Sequence, residues 1–383
     1  MKPSCESGPA GADWVPEDFL QSLRAFQESR ALLTSIELDV YTAVGEGATA
    51  AEVAARLGTD PRATEMLLNT LAALGALTKR EGVFFNGALA GRFLAAGGAV
   101  EARPALMHIV HMWDRWATLT ECVRRGTAVT YQEHEDRDPR WTEAFIAAMH
   151  ASALQRAPAV AEAVGLAGVR RLLDLGGGSG AYAIAFAQAC PELEAEILDL
   201  PRVVPIAEGH VARAGLSHRV RTRVGDLRKD ALGGGWDLIL VSAICHMLSP
   251  EENQDLLARC HAALAPGGRV VIQDFILEPD KTAPRHAALF SLNMLVGTPA
   301  GASYSLPEYA AWLAAAGFAE IRHVALSGPS ALMLARRCST QIVERAPDEV
   351  VAGCEADRRV QAALEQFVSS GIQIEDVCGK LEA

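Results

Sequence analysis

One stretch limits the folds open to this chain more than any other: Arg170-Arg171-Leu172-Leu173-Asp174-Leu175-Gly176-Gly177-Gly178-Ser179-Gly180. An apolar run suited to a buried strand feeds straight into a glycine-rich turn, and Ala181–Ala189 beyond it reads as an apolar helix. Such a turn presents backbone N–H groups at a helix N-terminus, and its glycines let a ligand approach the backbone closely. A second strand, Ala195–Leu198, then ends in Asp199, where a carboxylate could accept from the two hydroxyls of a ribose.

The charge at the turn narrows the ligand. A dinucleotide site wants GxGxxG and a pyrophosphate, whereas here Asp174 precedes the glycines, and an acid at that point repels phosphate. S-adenosylmethionine carries an amino group and a sulfonium and no phosphate, so it suits the turn better than NAD. A purely structural strand-to-helix turn is the competing reading of the glycines taken alone.

Further strands follow, each running into polar residues: Arg219–Val224 into Gly225-Asp226-Leu227, Trp236–Val241 into Ser242–His246, and Arg269–Gln273 into Asp274. In an open parallel α/β sheet ligands sit outside the carboxyl ends of the strands, so Asp174, Asp199, Asp226, His246 and Asp274 are expected on one edge. Ser249-Pro250-Glu251-Glu252 reads as a capping box with proline at the first helical position, placing His246 just before a helix.

Taken in order, Leu173–Gly180, Leu198-Asp199-Leu200-Pro201, Gly225-Asp226-Leu227, Ile244-Cys245-His246 and Ala265-Pro266-Gly267-Gly268 resemble the family of caffeic acid, acetylserotonin and hydroxyneurosporene O-methyltransferases. The resemblance covers roughly residues 17–337 and implies a Rossmann-like α/β S-adenosylmethionine-dependent methyltransferase domain behind a mainly helical winged-helix dimerisation domain. It also implies roles. Gly176 and Gly178 line the methionine portion of the cofactor, Asp199 holds the ribose hydroxyls and Asp226 and Leu227 border the adenine. Asp174, Leu200, Ser242 and Met149 complete the cofactor set. His246 is the general base, Asp274 stands at the first of two family glutamates, and S-adenosylhomocysteine is the product. The acceptor pocket is expected from His108, Met112, Trp116, Phe145, Met294 and Ser303. The chain departs from the family pattern at Ser242, where lysine is common, and at Ser303, where the second glutamate is expected. A neutral imidazole can act as a base near neutrality, and orienting the acceptor supplies much of the rate of methyl transfer. Carbon methylation, or non-methylating use of the same cofactor, is the alternative within enzymes; a cofactor-binding winged-helix regulator is the alternative outside them.

Residues 17–45 carry apolar residues at helical spacing, Thr49–Gly58 reads as a short capped helix, and a further helix is expected from Pro61 to Leu77. Leu77–Asn86 reads as a hairpin about Glu81-Gly82. This is a winged helix, but Ala63–Leu74 is mostly apolar and the net charge is −12. Nucleic-acid binding is poorly served, so the module is read as joining a homodimer.

Residues 101–165 read as a helical connector whose Met and aromatic residues either line the acceptor pocket or simply pack as core. His108 and His111 lack a third ligand nearby, so no metal is expected. The eight cysteines show no CxxC spacing, and Cys245 beside His246 reads as buried packing. There is no apolar run of roughly eighteen residues and no signal-like start, so no membrane association and a cytoplasmic location are expected. The expected division is 1–15 flexible, 16–100 dimerisation, 101–165 connector, 166–337 methyltransferase and 338–383 a helical extension. The expected activity is methyl transfer to a hydroxyl of a small aromatic or polyketide-like acceptor.

Overall fold

The computed structural model describes residues 17–98, 102–132 and 138–338. The chain opens with helices α1 (Glu17–Glu37) and α2 (Val40–Val44), a short strand β1 (Ala48–Thr49), and helices α3 (Ala50–Leu57) and α4 (Pro61–Ala73). Thr49 and Glu52 form a reciprocal capping box on α3, and Gly58 closes it in the left-handed region. Asp60 caps α4 ahead of Pro61. That helix stops at Ala73 and does not reach Leu77 as the periodicity predicts. Gly75 turns the chain at φ +78°, and Leu77 is drawn into strand pairing with Asn86. Strands β2 (Leu77–Arg80) and β3 (Val83–Asn86) form the expected hairpin, with Glu81 and Gly82 both at positive φ as a tight two-residue loop requires. β1 adds to β3, giving a three-stranded wing over a core of Val40, Val53, Leu68, Leu71 and Phe84.

Helix α5 (Ala88–Phe93) leads to α6 (Arg103–Trp116), α7 (Leu119–Arg125) and the long α8 (Pro139–Val164). Then come β4 (Arg171–Leu175), α9 (Ala181–Ala189), β5 (Glu194–Asp199), α10 (Val204–Arg213), β6 (Val220–Val224), β7 (Trp236–Ser242), α11 (Pro250–Ala263), β8 (Leu264–Asp274), α12 (Arg285–Gly297), α13 (Leu306–Ala315), β9 (Phe318–Ala325) and β10 (Ala331–Arg337). The seven strands order as β6-β5-β4-β7-β8-β10-β9. The first five are mutually parallel, and β10 runs antiparallel to both neighbours. β4 and β7 are buried on both faces, and their Leu, Ile and Val runs are the composition a doubly covered parallel strand needs.

From β4 the chain first winds outward to β5 and β6, then returns to place β7 on the other side of β4. That reversal opens a crevice outside the carboxyl ends of the two strands, where ligands bind in such sheets. His246 lies beyond the end of its strand. β7 stops at Ser242, Ala243 turns at φ +56°, and His246 sits in a 3-10 turn, Cys245–Met247. No helix among the described residues is long and apolar enough to cross a membrane. The flexible start expected for 1–15 lies outside the described residues, and so does the helical extension expected over 338–383 beyond Cys338.

Candidate active site

One cavity of about 590 Å³ runs along the crevice. Its cofactor half is built on the turn after β4. Gly176 and Gly178 adopt φ +63° and +59°, and a Cβ on Gly176 would run into Ile244 Cδ1. Beside Gly178 the nearest protein atom to such a Cβ is Ile146 Cδ1, at 3.7 Å. The turn is therefore glycine for two reasons: backbone conformation and close approach. Asp199 Oδ2 accepts the Gly178 N–H at 2.7 Å and its Oδ1 accepts the Leu200 N–H at 2.7 Å. A carboxylate has about four acceptor sites, so Asp199 can hold the turn and still accept from two hydroxyls.

Asp174 is fully buried at the end of β4, and among the described residues neither of its oxygens has a hydrogen-bond partner. Burial, then the neighbouring Asp199, push its carboxyl up to about 7; the Ala183 amide faces it outside hydrogen-bond geometry and offsets only part of the rise. Burial raises Asp199 to about 6 against the two amides it accepts. An orphaned acid beside a second acid suits a cationic ligand and is wrong for a phosphate. Burial alone would raise the Asp226 carboxyl, but bonds from the Arg228 side chain and amide hold it below its ordinary value. Leu200, Leu227, Ser242 and Met149 also line the cavity; Ser242 Oγ donates to Gln273 Oε1 at 2.7 Å. Arg156 lines the same half without having been singled out in the sequence. No local signal in the sequence marks it, because Ser152 and Ala153, one turn before it on the wall, are equally unmarked.

Away from the glycine-rich turn, His246 stands on the cavity wall. Its Nδ1 lies 2.6 Å from Asp274 Oδ1, which also accepts the Phe275 N–H at 2.8 Å. The second oxygen accepts the His246 backbone N–H at 3.1 Å and the Tyr309 hydroxyl at 3.0 Å. All four acceptor sites of this buried carboxylate are thus used, as a buried charge requires. With Nδ1–H committed to Asp274, Nε2 is left as the basic nitrogen. Buried Asn253 holds the turn by donating to Cys245 O at 2.9 Å. Cys245 itself is buried, and burial followed by the Asp274 charge pushes its thiol well above the ordinary range, which removes it as a nucleophile.

Phe290 packs edge-on against the His246 ring at 4.7 Å, and Trp141 and Phe145 stack at 5.3 Å and 9°. His108, Met112, Phe145 and Met294 line the cavity. Two expected pocket residues are not on its wall. Trp116 turns its indole N–H onto Asn293 Oδ1 at 3.0 Å, so it supports a wall residue and does not form the wall. Ser303 is buried, its N–H bonded to Ser291 Oγ at 3.2 Å and its own hydroxyl without a partner among the described residues. A serine there brings no second charge; the carboxylate that holds His246 is Asp274, which in turn accepts from Tyr309.

Residues 116–319 match the O-methyltransferase domain and residues 20–96 the O-methyltransferase dimerisation domain. The chain belongs to the O-methyltransferase family. This O-methyltransferase is 35% identical to 3-hydroxy-5-methyl-1-naphthoate 3-O-methyltransferase of Streptomyces sahachiroi over 79% of the chain and 90% of that protein. It is 32% identical to the tetracenomycin polyketide synthesis 8-O-methyl transferase TcmO of Streptomyces glaucescens, over 84% and 97%. Among solved structures, PigF with SAH superposes with a TM-score of 0.77 at 28% identity, covering 84% of this chain and all of that one. In this O-methyltransferase the dimerisation match precedes the O-methyltransferase-domain match along the chain.

Proposed function

We propose that this O-methyltransferase binds S-adenosyl-L-methionine against Asp174, Gly176, Gly178, Asp199, Asp226 and Leu227. It methylates a phenolic hydroxyl of a fused aromatic, polyketide-like acceptor. The carrying observation is that one cavity joins the orphaned acid and glycine-rich turn to a His246–Asp274 pair flanked by aromatic rings. The bound cofactor supplies a methyl group already activated on a sulfonium. Asp199 takes the ribose hydroxyls, Asp174 faces the cationic end, and Arg156 suits the carboxylate. His246 Nε2 takes the phenol proton while Asp274 stabilises the imidazolium that forms. Phe290, Trp141 and Phe145 give a planar acceptor flat surfaces and keep water from the reacting atoms.

The relatives named for a naphthoate and for tetracenomycin synthesis support this acceptor class. We also infer a homodimer through the N-terminal domain. Phe19, Leu23 and Phe26, at one helical face of α1, are 57%, 57% and 56% exposed, and an apolar stripe so open calls for a partner. Isothermal titration with S-adenosylhomocysteine tests the cofactor assignment. Micromolar binding supports it, and no binding would reduce the glycine-rich turn to a structural feature.

A further inference from the structure

The glycine-rich turn carries a single functional side chain. From Gly176 to Gly180 every residue but Ser179 is glycine, and glycine has the most backbone freedom to lose when a ligand orders it. Asp199 pins the turn at one point, through the Gly178 N–H at 2.7 Å. Ser179 supplies a second point. It is buried on the cavity wall, and its hydroxyl is not spent on capping α9, whose N-cap is Gly180. Instead Ser179 Oγ pairs with His150 Nδ1 at 2.8 Å.

His150 belongs to α8, the helix whose Met149, Ser152, Ala153 and Arg156 line the cavity, but it is not itself on the wall. Its ring meets that of His210, with centroids 3.9 Å apart and planes at 37°. His210 lies in the last turn of α10, the helix that follows Asp199 and Leu200. Burial, then the charge of Arg213, lower the His150 imidazole; burial, His150 and Arg213 lower His210 to about 4. The two rings therefore meet as neutral groups near pH 7, without mutual repulsion. Three pieces of the cofactor wall, from α8, the turn and the passage from β5 into α10, are thus tied together behind it.

We propose that His150 is a positioning residue for the cofactor: through Ser179 it holds the glycine-rich turn in the shape that receives S-adenosylmethionine, and His210 steadies its ring. This rests on the cofactor site proposed above. His150 acts on affinity by removing, before the ligand arrives, backbone freedom that the glycines would otherwise lose on binding.

The test is calorimetry of the full chain with S-adenosylhomocysteine, comparing the native protein with His150→Leu, Ser179→Ala, the double variant and His150→Asn, each with its Tm. Either single substitution is expected to weaken binding about five- to tenfold, the worth of one hydrogen bond. The double variant should bind no more weakly than the singles, because both remove the same bond. His150→Asn, whose side-chain amide can stand in for Nδ1, should recover most of the loss. A residue that only stabilises the fold would lower Tm without that rescue of affinity. Should His150→Leu fail to fold, Ser179→Ala and His150→Asn still decide. Native affinity in Ser179→Ala, losses that multiply in the double variant, or His150→Asn binding as weakly as Ser179→Ala would each overturn the proposal while leaving the cofactor site standing. Native protein that does not bind overturns the cofactor site and this inference together.

Discussion

The Tyr309 hydroxyl donates to Asp274 at 3.0 Å, on the carboxylate whose other oxygen holds His246 at 2.6 Å. Tyr309 comes from α13 and Asp274 from the end of β8, so two separate elements fix the orientation of one imidazole. Removing the hydroxyl with Tyr309→Phe keeps the ring in place and leaves one buried acceptor site unfilled. The expected result is a stability loss of about 1–3 kcal/mol and a several-fold fall in kcat, with S-adenosylhomocysteine affinity unchanged. Unchanged kcat would mean that Asp274 needs no outside support.

Gly176→Ala meets both a positive φ and Ile244 Cδ1. The backbone conformation alone costs about 1–2 kcal/mol. A lower Tm together with markedly weaker S-adenosylhomocysteine binding is expected. If Tm and affinity were both retained, the turn would not require glycine.

The two cofactor-side acids give a pH signature. Asp174 rises to about 7 and Asp199 to about 6, each chiefly by burial. A carboxyl whose folded pKa exceeds its unfolded value near 3.9 costs nothing at low pH, when both states hold the proton. Between about pH 4 and pH 7 the unfolded chain releases protons that the folded protein keeps, so the pair increasingly destabilises the unliganded fold; above about pH 7 the effect is constant. A ligand that donates hydrogen bonds or positive charge to these groups favours their ionised forms. S-adenosylhomocysteine binding should then expel protons near pH 6 and tighten as pH rises from 5 to about 7.5. Calorimetry at pH 6 in buffers of differing ionisation enthalpy measures this directly; proton uptake on binding would contradict the assignment.

The exposed stripe on α1 should hold the proposed homodimer together. The triple substitution Phe19→Ser, Leu23→Ser, Phe26→Ser is expected to shift the protein toward monomer in light scattering, because each lost apolar contact is worth about 1.5–3 kcal/mol of burial. An unaltered dimer would place the interface elsewhere.

Much of this was legible in the chain because the signals are local. The capping boxes at Thr49 and Ser249, the Glu81-Gly82 hairpin and the strand–glycine–helix passage around Asp174 each depend on residues a few positions apart. What stayed hidden depends on contacts across the sequence. Trp116 reads as a pocket aromatic until Asn293, 177 positions on, takes its N–H. Ser303 stands where a second acid was expected, and nothing near it indicates that Tyr309 supports Asp274 instead. The 3-10 turn at His246 is equally non-local, because Asn253 and Asp274 capture its backbone. Arg156 escaped notice because one charged residue on a long helix carries no sign of the cavity it faces.

The most direct test of the central claim compares the native protein with His246→Ala, using S-adenosylmethionine and a hydroxynaphthalene acceptor. Native protein should form the methyl ether. His246→Ala should bind S-adenosylhomocysteine with unchanged affinity while its transfer rate falls by about 10²–10⁴. A variant that keeps the native rate would contradict the assignment of His246 as the base; native protein that binds the cofactor yet methylates no hydroxyl would contradict the function itself.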